Sequence, residues 1–279
     1  MINFDFDYYQ AENAKEAIYK YLELSEKNEE NVLYYNGGTE IITYARKNKI
    51  EFSALIDIQN ILECSVLKNN QKQIIIGASV SLNMIIEKNY FPLLSDSCKG
   101  IADHTTRNQI TIGGNLTGKL PYKEAVLPLL VGDVELKIMT QNGIKIKKIN
   151  QLFDKRLQLE PEDILLQIIV DKNVIDLPYV QIREVKQSEI DYPIMHLVAL
   201  KQNDKIKASL SSLCAFPFRD KNLETIINDN KLTRREKIEQ IVNNLPVPIS
   251  SNYRGGKDYK EMLFRNSLNS CLDQLGSGI

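Results

Sequence analysis

The sequence lacks the clusters of cysteine and histidine that metal centres require. Its four cysteines (Cys64, Cys98, Cys214 and Cys271) are scattered and form no CxxC pair, and it has two histidines. Zinc and iron–sulfur sites gather several such ligands, usually seen as close pairs in sequence. We therefore expect free, buried thiols, no metal bound by this chain, and any metal centre on another chain.

The sequence also has no excess of charge and no long apolar run. Lys and Arg number 35 against 36 Asp and Glu, so no overall field attracts nucleic acid or an anionic membrane. Residues 1–7 have neither the basic start nor the apolar run of a signal peptide. The apolar run at residues 125–131 is too short to cross a bilayer and contains Pro128. We expect a cytoplasmic protein without nucleic-acid binding or membrane insertion.

What is present indicates a folded protein of one or two domains. The 279 residues are 43% hydrophobic and 25% charged, which is typical of a chain with a real core. The pattern of elements changes near residues 171–177. We predict a first domain at 1–172, with subdomains at about 1–56 and 57–172, and a second domain at 173–279.

Hydrophobic spacing predicts the elements of the first domain. A helix capped by Asn13 precedes a strand at Val32–Tyr35, and a hairpin turn lies at Gln141–Gly143. The remaining predicted elements are a helix around Ile41–Ala45, strands at Ala54–Ile58 and Gln73–Gly77, helices at Ser81–Ile86 and Leu93–Ile101, a loop at Ala102–Asn108, a helix at Ala125–Leu130, and strands at Val134–Met139, Ile144–Ile146 and Ile164–Val170.

The second domain is predicted to be of the α+β type. We expect a strand at Tyr179–Val185, a helix at Tyr192–Leu200, a strand at Ile206–Leu213, two helical stretches, and a final helix from about Asp258 to Leu275. No low-complexity linker separates the two domains, so they should pack closely.

Two Gly-Gly turns are the candidate binding loops. Gly37–Gly38 lies in Asn36-Gly-Gly-Thr39-Glu40, and Gly113–Gly114 lies in Thr111-Ile-Gly-Gly-Asn115. Each follows a β-prone run and carries small polar neighbours. Such loops can direct several backbone N–H groups at one pyrophosphate, although an isolated Gly-Gly pair is more often a simple tight turn.

The common nucleotide motifs do not fit either loop. No Gly-Lys-Ser/Thr follows, as a P-loop would need, and neither loop has the spacing G-x-G-x-x-G. The remaining interpretation is that the two loops bind a dinucleotide within a fold other than the Rossmann fold.

These segments resemble the FAD-binding subunit of the molybdenum hydroxylases, which are enzymes of the xanthine dehydrogenase and carbon monoxide dehydrogenase type. The resemblance rests on residues 36–40, Leu55–Ile58, Arg107-Asn108, 111–116 and Pro161–Leu165. Tyr179 to Pro193 and Tyr253 to Leu275 resemble the C-terminal domain of that subunit. The resemblance implies an FAD-binding domain of the p-cresol methylhydroxylase/vanillyl-alcohol oxidase type, made of two α/β subdomains, followed by an α+β domain.

The resemblance also assigns residues to the cofactor. It implies that the backbone amides around both Gly-Gly pairs hold the FAD pyrophosphate and that Leu165 touches the isoalloxazine ring. Glu124, where the family has Asp, would accept hydrogen bonds from the sugar portion. Gln181 stands where the family often has a lysine near the flavin. The complete expected FAD site is Asn36, Gly37, Gly38, Thr39, Glu40, Ile41, Thr111, Gly113, Gly114, Asn115, Glu124, Leu165 and Gln181, with no catalytic and no metal-ligating residue.

The resemblance implies a function shared among subunits. A large subunit would hold the molybdenum cofactor, a small subunit would hold [2Fe–2S] clusters, and this chain would pass electrons from FAD to NAD+ or another acceptor. Two alternatives remain open. One is a self-contained FAD-dependent oxidoreductase of the same superfamily, and the other is a non-catalytic scaffold subunit that has lost FAD.

Overall fold

The computed structural model describes residues 1–27, 31–186 and 191–276, and it begins with a small parallel sheet. The elements are β1 (Asp7–Gln10), α1 (Ala14–Glu26), β2 (Val32–Tyr35), α2 (Thr39–Arg46) and β3 (Ala54–Asp57). β3 lies between β1 and β2 and runs parallel to both. Asn13 caps α1 as predicted, because its side-chain oxygen accepts a hydrogen bond of 3.0 Å from the Glu16 amide.

A larger sheet follows, with the strand order β4-β5-β10-β6-β7. Its neighbouring strands are antiparallel, and the hairpin between β6 and β7 turns at Gln141-Asn142 as predicted. The elements of this region are α3 (Leu62–Ser65), β4 (Leu67–Asn69), β5 (Gln73–Gly77), α4 (Leu82–Lys88), α5 (Pro92–Lys99), α6 (His104–Gln109), α7 (Ile112–Thr117), α8 (Val126–Val131), β6 (Glu135–Thr140), β7 (Gly143–Lys148), α9 (Ile149–Leu152), β8 (Phe153–Asp154), β9 (Arg156–Leu157) and β10 (Ile164–Asp171).

The described residues of the C-terminal part form an antiparallel sheet and three α-helices. Its elements are β11 (Tyr179–Glu184), β12 (Met195–Gln202), β13 (Lys205–Ser211), β14 (Phe218–Arg219), α10 (Lys221–Ile227), α11 (Arg234–Asn243) and α12 (Lys257–Leu275), and the sheet order is β11-β12-β13-β14. Residues 187–190, within the segment Tyr179 to Pro193 used for the resemblance, lie outside the described residues. The mixture of helices and sheets confirms the predicted fold class.

The predicted helix at Tyr192–Leu200 is wrong, because this segment forms β12. Its residues 195–200 are all buried, and alternate side chains enter two different cores. Leu197 and Ala199 pack in the C-terminal core, whereas Val198 and Leu200 pack in the core of the first domain. A strand buried on both faces carries a continuous apolar run, which periodicity alone does not separate from a buried helix.

Two local predictions around the second Gly-Gly pair are also wrong. The predicted loop at Ala102–Asn108 contains α6, which Asp103 caps by accepting a 2.9 Å hydrogen bond from the Thr106 amide. Gly113 and Gly114 lie within the first turn of α7 and not in a turn after a strand. Glycine lowers helix propensity, so the Gly113–Gly114 pair concealed α7 in the sequence.

The predicted boundary between residues 172 and 173 stays a prediction. The largest cluster of buried side chains comes from residues 11–175 together with Val198 and Leu200, so it continues past that boundary, and a second cluster comes from residues 180–275. Across the described ranges, no helix has both the length and the apolar character needed to cross a membrane. The four cysteines are free and buried, as predicted, and burial raises the pKa of each thiol.

Candidate functional site

The first Gly-Gly pair forms the start of helix α2. Gly38 has a φ of +68° and its missing side chain leaves room for the ring of Tyr35. The first hydrogen bond of the helix is donated by the Ile42 amide to the Gly38 carbonyl, at 2.9 Å. The amides of residues 39–41 precede this bond and find no acceptor within the described part of the chain. They form a set of donors suited to an anion.

The second pair is held differently from the first, by hydrogen bonds within the protein. The Gly113 amide donates to the Ala78 carbonyl at 2.9 Å, and the Gly114 amide donates to Thr111 Oγ1 at 3.1 Å. These two amides are therefore already engaged within the protein, and their expected contact with the pyrophosphate stays a prediction. Thr111 serves as the N-cap of α7, which is the turn-stabilising alternative to a contact with FAD.

Gly114 nevertheless leaves open space beside the site. A Cβ atom at Gly114 would meet Thr111 Oγ1 at 3.0 Å and nothing else within 4 Å. At Gly113, by contrast, a Cβ atom would lie 2.7 Å from the carbonyl oxygen of Ala78. Gly113 is thus required for packing, whereas a Cβ atom at Gly114 would be close to a single side-chain atom, Thr111 Oγ1.

The structure brings the two glycine segments into direct contact. A Cβ atom on Gly37 would collide with the carbonyl oxygen of Gln109 and would lie 3.2 Å from Thr111 Cγ2. The segments are far apart in sequence, yet no side chain on Gly37 fits between them. The predicted association of the two loops in one site is supported by this geometry.

Unpaired polar atoms lie in both segments. The side-chain oxygens of Asn36 and Asn115 are buried and have no hydrogen-bond partner among the described residues, and the same holds for the Ser79 hydroxyl. A buried oxygen without a donor costs about 1–3 kcal/mol, so such atoms in a native protein call for a partner. A ligand with hydroxyl or N–H donors would supply one.

Glu40 and Ile41 occupy the first turn of α2 with different surroundings. The two carboxylate oxygens of Glu40 accept hydrogen bonds from the amides of Lys119 and Leu120, at 2.6 and 3.1 Å. The Glu40 side chain thereby connects the first segment to the loop that follows α7. Ile41 is half-buried and packs against the small core around Phe52.

Lys123 is a buried cation that the sequence analysis missed. Its side chain is 3% exposed, and its ammonium donates to the carbonyl oxygens of Leu116, at 2.8 Å, and Gly118. Burial lowers the pKa of Lys123 to about 8, although Glu40 acts in the opposite direction. The sequence signal for its burial was weak, since Lys123 is separated from the apolar run at residues 125–131 by Glu124.

Glu124 and Gln181 lie between the two domains. The Glu124 carboxylate is 2.7 Å from Arg183 Nε and 2.9 Å from His196 Nδ1, and it is 3% exposed. Burial raises the pKa of Glu124, but His196 and Arg183 outweigh burial and hold the pKa below its ordinary value. Gln181 Oε1 accepts a 2.9 Å hydrogen bond from Ser97. The Glu124 carboxylate is thus engaged by two side chains of the C-terminal sheet, and its expected contact with FAD stays a prediction.

Leu165 and Arg107 have structural surroundings. Leu165 is buried in β10 beside an irregularity in the pairing with β6, and its predicted contact with the isoalloxazine ring stays a prediction. Arg107 donates to the carbonyl oxygens of Lys99, Ile101 and Ala102, at 3.1, 3.1 and 2.6 Å. It therefore fixes the connection between α5 and α6.

The site combines a helix start that has free amides, a second glycine segment in contact with it, and unpaired acceptors around both. These features define a binding domain for a nucleotide cofactor. Among the described residues, no cluster of three or more His, Cys, Asp or Glu side chains could hold a metal ion. Residues 4–172 match the family model described as the FAD binding domain in molybdopterin dehydrogenase. The chain belongs to this family, and it is an FAD-binding subunit of the molybdenum hydroxylase type.

Individual proteins are similar over different lengths. The glyceraldehyde dehydrogenase medium chain of Sulfolobus acidocaldarius is 22% identical over 265 residues, which is 92% of this chain and 91% of that protein. The nicotinate dehydrogenase FAD-subunit of Eubacterium barkeri is 23% identical over 145 residues, which covers 49% of each. A chain of carbon monoxide dehydrogenase from Hydrogenophaga pseudoflava has the same fold, with a TM-score of 0.85 over 99% of this chain and 98% of that chain, at 20% identity.

Proposed function

We propose that the protein binds FAD between its two glycine segments and serves as the electron-transferring flavin subunit of a molybdenum hydroxylase. The observation that carries this proposal is the pair of buried, unpartnered oxygens of Asn36 and Asn115, one in each segment. Two such acceptors beside a helix start with free amides fit a ligand that has both anionic and donor groups.

The residues fit the parts of FAD in a specific way. The amides of residues 39–41 suit the pyrophosphate, since they point free N–H groups and the positive end of α2 at one place. The Asn36 and Asn115 oxygens suit the hydroxyl or ring N–H donors of the cofactor. The open side of Gly114 leaves room for the chain of the dinucleotide.

Bound FAD would supply the redox chemistry, accepting electrons and transferring them as hydride or singly. This chain would hold the cofactor, keep its pyrophosphate from water and orient its ring towards its partners. We propose that electrons come from [2Fe–2S] clusters on a small partner subunit, that a large partner subunit carries the molybdenum cofactor, and that NAD+ or another molecule accepts the electrons. The medium-chain and FAD-subunit names of the two relatives support this division of labour.

Titration of the FAD-free protein with FAD at pH 7 tests the proposed binding. We expect quenching of flavin fluorescence with one FAD per chain, and a chain that binds no FAD would overturn the proposal. Gly114→Leu should abolish binding without loss of the fold, because little protein lies beside this glycine. Gly256→Ala is the matched control, since no atom lies within 4 Å of its added Cβ, and it should bind FAD normally.

The electron-transfer role needs a separate measurement. Expression with the neighbouring genes, followed by affinity purification, should yield a complex that contains molybdenum and [2Fe–2S] clusters on other chains. Reduction of the bound flavin on addition of the substrate of that complex would support the role. A flavoprotein that purifies alone and turns over by itself would favour the self-contained oxidoreductase instead.

A further inference from the structure

Lys123 lies under the loop that follows the second glycine segment. The loop begins at Gly118, directly after α7, the helix that contains Asn115 and its unpaired oxygen. Lys123 holds it from within through the carbonyl oxygens of Leu116 and Gly118, and Glu40 holds it from α2 through two amides. A buried lysine of this kind is costly, because burial removes the ammonium from water.

The charges around this ammonium leave it under-compensated. Within the described part of the chain, Glu40 of α2 attracts it and Arg156 of β9 repels it. The adjacent Glu124 is engaged with Arg183, and Lys119 in the same loop is exposed. The attraction of Glu40 does not offset burial, since the pKa of Lys123 still falls to about 8. An anion at the glycine segments would provide the missing compensation.

We propose that the buried ammonium of Lys123 is a counter-charge for the FAD pyrophosphate and that, together with Glu40, it positions the loop that follows the second glycine segment. This inference rests on the proposed FAD binding. The sequence alone suggested that backbone amides would neutralise the pyrophosphate without a lysine. The second segment's amides are already engaged, however, and the ammonium donates to the carbonyl oxygen of Leu116 in the same helix, α7.

The proposal has a consequence that a purely structural lysine would not have. A bound dianion favours the charged form of a neighbouring lysine, so FAD binding should take up a proton where free Lys123 is partly neutral. Below pH 8 the lysine is protonated in both states, and the affinity should not depend on pH. Above pH 8 the FAD dissociation constant should rise with pH, by up to about tenfold per pH unit.

Isothermal titration of the wild-type chain with FAD, between pH 7 and pH 9, tests this directly. Titrations at pH 8.5 in two buffers of different ionisation enthalpy should reveal proton uptake on binding. A constant affinity across this range, with no proton uptake, would overturn the counter-charge role even if FAD binds tightly. If FAD does not bind at pH 7, the proposed function itself fails, so the two failures are distinct.

Two variants separate charge from packing. Lys123→Met keeps the apolar stem but removes the charge, and it should weaken FAD binding about tenfold at pH 7 and abolish proton uptake. Lys123→Arg keeps the charge at all these pH values and should bind FAD without the rise above pH 8. If neither variant folds, the proton uptake of the wild-type chain still decides whether Lys123 acts as a counter-charge. Lys119→Met, in the same loop but exposed, is the control and should retain the wild-type pH profile.

Discussion

Arg183 Nε lies 2.7 Å from Glu124 Oε2, and this buried ion pair joins the C-terminal sheet to the first domain. Removal of one partner leaves the other charge uncompensated, which typically costs about 3–5 kcal/mol. We expect Glu124→Gln to lower the free energy of unfolding by about 3 kcal/mol in urea denaturation. Glu135→Gln is the control, because its pair with Lys148 is exposed and should be worth less than about 1 kcal/mol. Equal losses in the two variants would contradict this assignment.

The same carboxylate should make stability depend on acidity. The pKa of Glu124 in the folded protein lies below its ordinary value, despite burial, because of His196 and Arg183. Its contribution is therefore present above the unfolded pKa, about 4.3, and is lost as the pH falls through the folded pKa. The difference in unfolding free energy between wild type and Glu124→Gln should shrink as the pH is lowered from 7 towards 3. Denaturation curves at several pH values measure it, and a difference that stays constant would argue against this account.

The contact between the two glycine segments should be intolerant of a single methyl group. Gly37→Ala places a Cβ atom against the backbone carbonyl of Gln109, which cannot move as a flexible side chain could. We expect a loss of about 1–3 kcal/mol in stability and a further loss of FAD affinity as the segments separate. Thermal unfolding with and without FAD measures both effects, with Gly256→Ala as the reference. A Gly37→Ala protein with wild-type FAD affinity would show that the contact does not shape the site.

Asn115 should affect stability and binding in opposite directions. Its side-chain oxygen is buried without a partner in the FAD-free protein, so Asn115→Leu removes an unfavourable group. We expect unfolding free energy that is unchanged or higher, together with FAD affinity reduced about tenfold. Asn222→Leu, on the exposed side of α10, should change neither quantity. A loss of stability without a loss of affinity in Asn115→Leu would make this residue structural.

Most elements of the fold could be predicted because their signals are local. Asn13 caps α1, and Gln141-Asn142 turns the hairpin between β6 and β7, as side-chain and turn chemistry require. β12 could not be predicted correctly, because its apolar run forms a strand only through packing against the two cores on either side of it. The alternation between these cores is a property of the tertiary structure and leaves no pattern of polar residues in the sequence.

The position of the candidate site could be predicted from the sequence, but the buried charged residues near it could not. The two Gly-Gly pairs were found, and the contact of Gly37 with the second segment supports their association. The roles of Lys123 and Glu124 depend on their burial. The role of Glu124 also depends on distant partners such as Arg183, which is 59 residues away in sequence. A lysine and a glutamate that are adjacent in sequence read as a solvated pair, and nothing local indicates that each is buried with a different partner.

The two-sided burial of β12 has a consequence for how the protein unfolds. Withdrawal of the C-terminal sheet would remove Val198 and Leu200 from the core of the first domain and expose that core to water. The two domains should therefore melt together in one calorimetric transition, despite their separate sheets. A fragment that ends at residue 172 should aggregate on its own, so the flavin-binding half depends on its C-terminal neighbour for its solubility.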